Sequence, residues 1–156
     1  MSDVSFAARA AHLTRRFITS LSRREPTDDD SAWAESQLLD GELQLWRRMT
    51  AADRRHAITV ARRFTMIGAA TPTAWLRDET AGALLHDVGK LDSDLGTLAR
   101  ALATIVGPRT DRFRRYHDHE QIGADLLVAA GSSPLTVELV LGRGRAAPAL
   151  AEADNI

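Results

Sequence analysis

Apolar side chains recur along this chain at three- and four-residue steps, the period of a helix with one face in a core. Phe6, Ala10, Leu13, Phe17 and Leu21 form such a stripe over residues 5–22, flanked by Arg15, Arg16, Arg23 and Arg24. The segment Pro26 to Asp30 interrupts the stripe and supplies N-cap residues for a second helix through Trp33, Leu38 and Leu39. Asp40-Gly41 reads as a turn before a short segment to Trp46 and Met49. Thr50 with Asp53 is a capping pair that opens a helix to Ile67, stopped at Gly68, with Val60, Ala61, Phe64 and Ile67 facing inward. His56 lies one turn before Val60, at the edge of that face.

Pro72 is placed at the first position of the next helix, which carries Trp75, Leu76 and the apolar run 81–85 and delivers His86-Asp87 near its end. Further helices are predicted over 94–106, over 111–130 as one or two pieces ending at Gly131, from Ser133-Pro134 to Leu141, and from Pro148 to Asp154. No stretch alternates as a strand does, and no internal repeat is present. The fold class is all-α, a compact single-domain helical bundle.

Composition narrows the chemistry. At 156 residues, 44% hydrophobic and 26% charged, the chain has the make-up of an ordinary globular domain. With no cysteine there is no disulfide, no thiolate ligand and no cysteine nucleophile, so a bound cation would need imidazole, carboxylate and water. No apolar run approaches the roughly 20 residues of a membrane span, and the first residues lack a secretory signal, so a cytoplasmic location is expected. Nineteen of the twenty basic residues are arginine, with Lys90 the lone lysine. Six Arg-Arg pairs are scattered rather than gathered in a block, which gives no strong nucleic-acid signal. A guanidinium fork does suit phosphate, and the arginine-flanked stripe at 5–22 suits either packing on the domain or an anionic surface.

The candidate chemistry centres on His86-Asp87 within Ala-Leu-Leu-His-Asp-Val-Gly-Lys-Leu, residues 83–91. An ionisable pair in so apolar a run needs partners, because an unpaired buried charge is costly. A divalent cation is one such partner, since His nitrogen and Asp oxygen both ligate metals.

His56, His86-Asp87 and Asp154, in that order, together with the His-Asp-x-Gly-Lys run, resemble the HD superfamily of metal-dependent phosphohydrolases. The segment Tyr116 to Leu127, with His119 ahead of Ile122-Gly123-Ala124-Asp125-Leu126-Leu127, is similar to the helix that follows the signature in many HD proteins. The resemblance spans residues 50–156, read as the HD domain, with 1–49 as a helical leader packed on the core. It implies a bundle of the HD-domain type in which His56, His86, Asp87 and Asp154 ligate one divalent ion: Mn, Fe, Co, Ni or Zn, with Mg a further candidate.

The implied activity is hydrolysis of a nucleotide or other small phosphoester by a metal-activated water. Asp87, Lys90 and His119 would be catalytic, and Lys90, His119 and Arg143 would bind the substrate. His119 shares the face of Ile122 and Leu126 and is expected to point inward, with His117 facing solvent. The alternative is a catalytically weak HD-type module that binds metal or ligand and regulates. The chain departs from the family pattern where a second metal would be held. Residues 138–145 carry Arg143 and Arg145 in place of histidines, and arginine cannot ligate a cation, so a mononuclear site is expected. The Gly-Tyr-Pro tripeptide of cyclic-dinucleotide phosphodiesterases is missing. So is a Glu-Asp pair fitting guanosine-tetraphosphate hydrolases.

Overall fold

The computed structural model of the protein describes residues 24–72, 74–92 and 109–155. Expectations for 5–22, for 94–106 and for the side chain of His117 fall outside them. Among the described residues the fold is all-α, with no strand: α1 Asp28–Ser36, α2 Asp40–Arg48, α3 Ala51–Ala69, α4 Arg77–Leu84, a 3-10 turn Val88–Asp92, α5 Arg109–Ala129, α6 Pro134–Val140 and α7 Ala147–Asp154.

Local chemistry sets most of the boundaries. Thr50 Oγ1 accepts the Asp53 N–H at 3.1 Å, and the Thr50 hydroxyl donates to Asp53 Oδ2 at 2.6 Å. A cap of this kind is worth about 1 kcal/mol. Thr27 and Ser133 cap α1 and α6 in the same way, through the N–H groups of Asp30 and Thr136.

Two starts differ from the sequence expectation. Asp40 and Gly41 are the first residues of α2 rather than a turn. Glu42 reaches back to accept the Leu39 N–H at 2.8 Å, and a side chain at Gly41 would sit 2.1 Å from the Ala130 carbonyl oxygen. That glycine therefore serves the close approach of α2 to the end of α5. Pro72 does not open α4, which starts at Arg77 with Glu79 accepting the Leu76 N–H at 2.8 Å. The segment before α4 is instead pinned by Trp75, whose indole N–H donates to Phe64 O at 2.9 Å and whose ring stacks on Phe64, centroids 5.1 Å apart. The other ends shift slightly: α1 stops at Ser36, α3 runs one residue past Gly68 with Ala70 as its cap, and α7 begins at Ala147.

The core is built from Trp46 of α2, Val60 and Phe64 of α3, Leu84 and Leu85 at the end of α4, Val88, Leu127 of α5 and Leu139 of α6, all fully or almost fully buried. Helix α3 packs on both α4 and α7, α4 on α6, and α5 on the 3-10 turn and α6. This arrangement brings the middle of the chain beside its C-terminal helix. Ala34, Leu45, Trp46 and Met49 join the same core, so residues 28–49 pack on the later helices. No helix among the described residues is long and apolar enough to cross a membrane.

Candidate metal centre

Three elements converge where α3 meets α7. His56 projects from the second turn of α3, Asp154 is the last residue of α7, and His86-Asp87 lie between α4 and the 3-10 turn. The sequence expectation put His86-Asp87 inside the end of α4. The structure caps that helix at Leu85 and leaves the pair in the connection that follows. This matters for chemistry, since a residue past the last turn can aim its side chain out of the helix line.

His56 Nε2 lies 3.0 Å from Asp154 Oδ1. His86 Nε2 lies 3.7 Å from the same oxygen and 3.7 Å from Asp87 Oδ2. The ligand atoms of His56, His86 and Asp154 fall within 4.8 Å of one another. Adjacent ligands of an ion with bonds of about 2.1 Å stand about 3.0 Å apart in octahedral and about 3.4 Å apart in tetrahedral geometry. The observed separations are of that size.

The tautomer of His86 is decided by its other nitrogen. Nδ1 faces Ala83 O at 2.8 Å, and a carbonyl only accepts, so Nδ1 carries the proton. In the neutral ring Nε2 then presents a lone pair. That atom is buried and has no hydrogen-bond partner. A buried polar atom left unpaired costs about 1–3 kcal/mol, and a cation between Nε2 and the two carboxylates removes that cost. A backbone carbonyl on Nδ1 is also the usual device that orients a metal-ligating histidine.

Both carboxylates are held ionised. Burial pushes Asp87 up, but electrostatic attraction to the neighbouring His86 and Lys90, the Lys90 hydrogen bond and attraction to His56 outweigh it and hold the carboxyl well below the usual range. Asp154 is likewise pushed up by burial and by Asp87, and pulled below its ordinary value by the His56 hydrogen bond and electrostatic attraction to both histidines.

The structure thus brings together three of the four expected ligands and sets Asp87 at their edge, joined to the set through His86. Its Oδ2 accepts from Lys90 Nζ across the 3-10 turn. Gly89 has a packing reason to lack a side chain: a Cβ there would stand 1.9 Å from the His119 carbonyl oxygen, so α5 rests directly on the turn that carries Lys90. His119 itself is half-buried, as its face predicts, and its Nδ1 is buried without a hydrogen-bond partner, but it does not belong to the ligand set. Arg143 lies on the exposed loop after α6, where its backbone N–H donates to Glu138 O, and its side chain has no contact with the cluster.

Two charged groups that sequence reasoning left unassigned turn out to be architectural. Glu79 is buried, and Arg145 donates to both its oxygens at 2.8 and 2.7 Å while its guanidinium lies 5.2 Å from the Trp75 ring centroid. Glu42 is fully buried beside Arg77, 3.3 Å away. The signal for both was the glutamate three residues into its helix, which a pattern search tuned to Ser or Thr caps passes over.

Neither family models, curated proteins nor solved structures provide a match to this chain. The geometry of the cluster is therefore the ground for any functional reading.

Proposed function

We propose that this protein is a metal-dependent phosphohydrolase of the HD type, acting on a nucleotide or other small phosphoester. One observation carries the reading: the buried, unpartnered His86 Nε2 faces two ionised carboxylates, with a second imidazole within 4.8 Å of it. Two imidazoles and two carboxylates suit a borderline divalent ion such as Mn, Fe, Co, Ni or Zn better than Ca²⁺.

His56, His86 and Asp154 would hold the ion, with Asp87 completing the set once its oxygen turns from Lys90. When bound, such an ion lowers the pKa of water and polarises a phosphoryl oxygen. Everything else falls to the chain. Asp154 and Asp87 balance the cation. His86 is kept in one tautomer by Ala83 O, and Lys90, released from Asp87, offers its ammonium to a phosphoryl oxygen as charge builds. His119, on the helix against Gly89, is the next donor to reach a phosphoryl group bound there. In the overall reaction the oxygen of water forms a P–O bond, the ester P–O bond breaks, and the departing oxygen takes a proton.

The Lys90–Asp87 ion pair also favours a second reading, because it neutralises one expected ligand without any metal. On that reading the protein is a catalytically weak HD-type module that binds metal or ligand for regulation. A screen of small phosphoesters with Mn²⁺, Co²⁺, Ni²⁺ and Mg²⁺ separates the two. Metal-dependent turnover that disappears in Asp87→Asn supports the hydrolase; metal binding with no turnover of any ester favours the module.

A further inference from the structure

The end of α2, the start of α3 and the 3-10 turn border a half-open cavity of about 160 Å³, lined among others by Arg48, Thr50, Asp53, Asp87 and Lys90. Asp87 belongs to both this cavity and the edge of the histidine–carboxylate cluster, so the two are neighbours. The charges of the lining are not equivalent. Asp53 takes the Thr50 hydroxyl and sits in the first turn of α3, where the helix dipole favours an anion. Asp87 is held by Lys90. Arg48 has no side-chain hydrogen bond or ion pair among the described residues, whereas its neighbour Arg47 is paired with Glu35 at 3.0 Å. The lining thus carries two cations and two carboxylates, and Arg48 is the cation whose side chain remains available to a ligand.

Size adds a second constraint. A cavity of about 150 Å³ takes up benzene, a molecule of about six heavy atoms. That size suits the five heavy atoms of a phosphate group and is well short of the ~300 Å³ or more of pockets that enclose whole ligands. An unsubstituted phosphoryl end fits a space of this size, whereas both substituents of a phosphodiester would have to leave through its open side.

We propose that this cavity is the subsite for the terminal phosphoryl group of a phosphomonoester, with Arg48 as its anchoring cation opposite Lys90. The inference rests on the phosphohydrolase reading above and deepens it by naming the substrate class. Arg48 is a binding residue here: its fork is suited to two phosphate oxygens, and it plays no part in holding the ion.

The test uses inorganic phosphate as probe, titrated into the full-length protein with and without Mn²⁺, for the parent, Arg48→Gln, Arg48→Lys and the charge-matched Arg47→Gln. Hydrogen bonds to charged groups at an exposed position set the expected loss at about 10-fold in phosphate affinity for Arg48→Gln. Arg48→Lys should recover part of it. Arg47→Gln should match the parent, and bound metal should stay constant throughout. In the turnover assay the parent should prefer p-nitrophenyl phosphate to its bis ester, and Arg48→Gln should lower kcat/KM for the monoester by a similar factor.

Phosphate affinity unchanged in Arg48→Gln, or lowered equally by Arg47→Gln, overturns the subsite, as does a parent that binds no phosphate. Preference for the diester overturns the substrate class. Failure of the metal reading looks different: no metal is bound, while Arg48-dependent phosphate binding persists and the subsite stands alone.

Discussion

Two buried charge clusters in this small bundle are built to opposite ends. In the first, Glu79 has both oxygens occupied, by the Leu76 N–H and by a two-pronged Arg145 that also packs over Trp75. In the second, Lys90 engages Asp87 and His56 engages Asp154, but His86 Nε2 stands 3.7 Å from both carboxylates, beyond hydrogen-bond reach, and is unpartnered. Both clusters contain buried ionisable groups, and both join segments far apart in sequence. The unpartnered His86 nitrogen distinguishes them. A cluster whose polar atoms are all satisfied holds the fold together, and one that leaves a buried imidazole nitrogen unpartnered between two carboxylates is a place for a cation. Burial of charge alone marks neither.

The contrast predicts a separation of effects. His86→Ala should cost the most: metal affinity falls by more than about 100-fold, since loss of a ligand exceeds the 10- to 100-fold typical of losing its supporting hydrogen bond. The helical content should be unchanged by circular dichroism. Retained affinity would mean the imidazole is a packing group and the two clusters do not differ.

Lys90→Met should lower kcat/KM by about 10²-fold, the typical loss of one well-placed donor to transition-state charge, with metal content unaltered. Full activity in this variant would make Lys90 a mere partner of Asp87.

Glu79→Gln should act in the reverse sense, leaving metal binding as it was and destabilising the fold. Removing one member of a buried pair costs 3–5 kcal/mol at full burial. Arg145 is 44% exposed, so about 2 kcal/mol is expected here. At this chain length that is a fall in Tm of about 4–8 °C. A metal defect in Glu79→Gln would blur the comparison.

The smallest effect is on pH dependence. The carboxyls of Asp87 and Asp154 lie below their ordinary value of 3.8 in the folded protein, so their ionised forms stabilise it above that pH. The contribution is lost as pH falls through 3.8 toward the folded values. Metal-free parent protein should therefore exceed Asp87→Asn in Tm at neutral pH, and the gap should close on acidification below 3.8. A gap that widens in acid contradicts the sign.

Much of the bundle was legible in the residues. The Thr50–Asp53 and Ser133–Pro134 starts rest on local hydrogen bonds that a sequence displays openly, and the inward stripe of α3 follows from its period. Asp40-Gly41 and Pro72 were read wrongly for a shared reason. Asp, Gly and Pro are equally at home in turns and in first helical turns, and the choice was made by distant contacts: Gly41 against Ala130, Trp75 against Phe64. The four metal-ligand candidates were legible as residue types in order, but their meeting depends on α7 packing along α3, which no local pattern encodes. Asp87 stands at the edge of the set with its Oδ2 taken by Lys90, and His119 lies outside it on α5. Arg48 could not be told apart from eighteen other arginines without knowing which of them lacks a partner beside a cavity.

The most direct test of the histidine–carboxylate cluster is elemental analysis of the purified chain after metal-replete expression and desalting, run beside His86→Ala and Asp154→Asn. One divalent transition ion per chain in the parent, and none in either folded variant, is the predicted result. An empty parent, or variants that keep the ion, would contradict the claim that these residues form a metal centre.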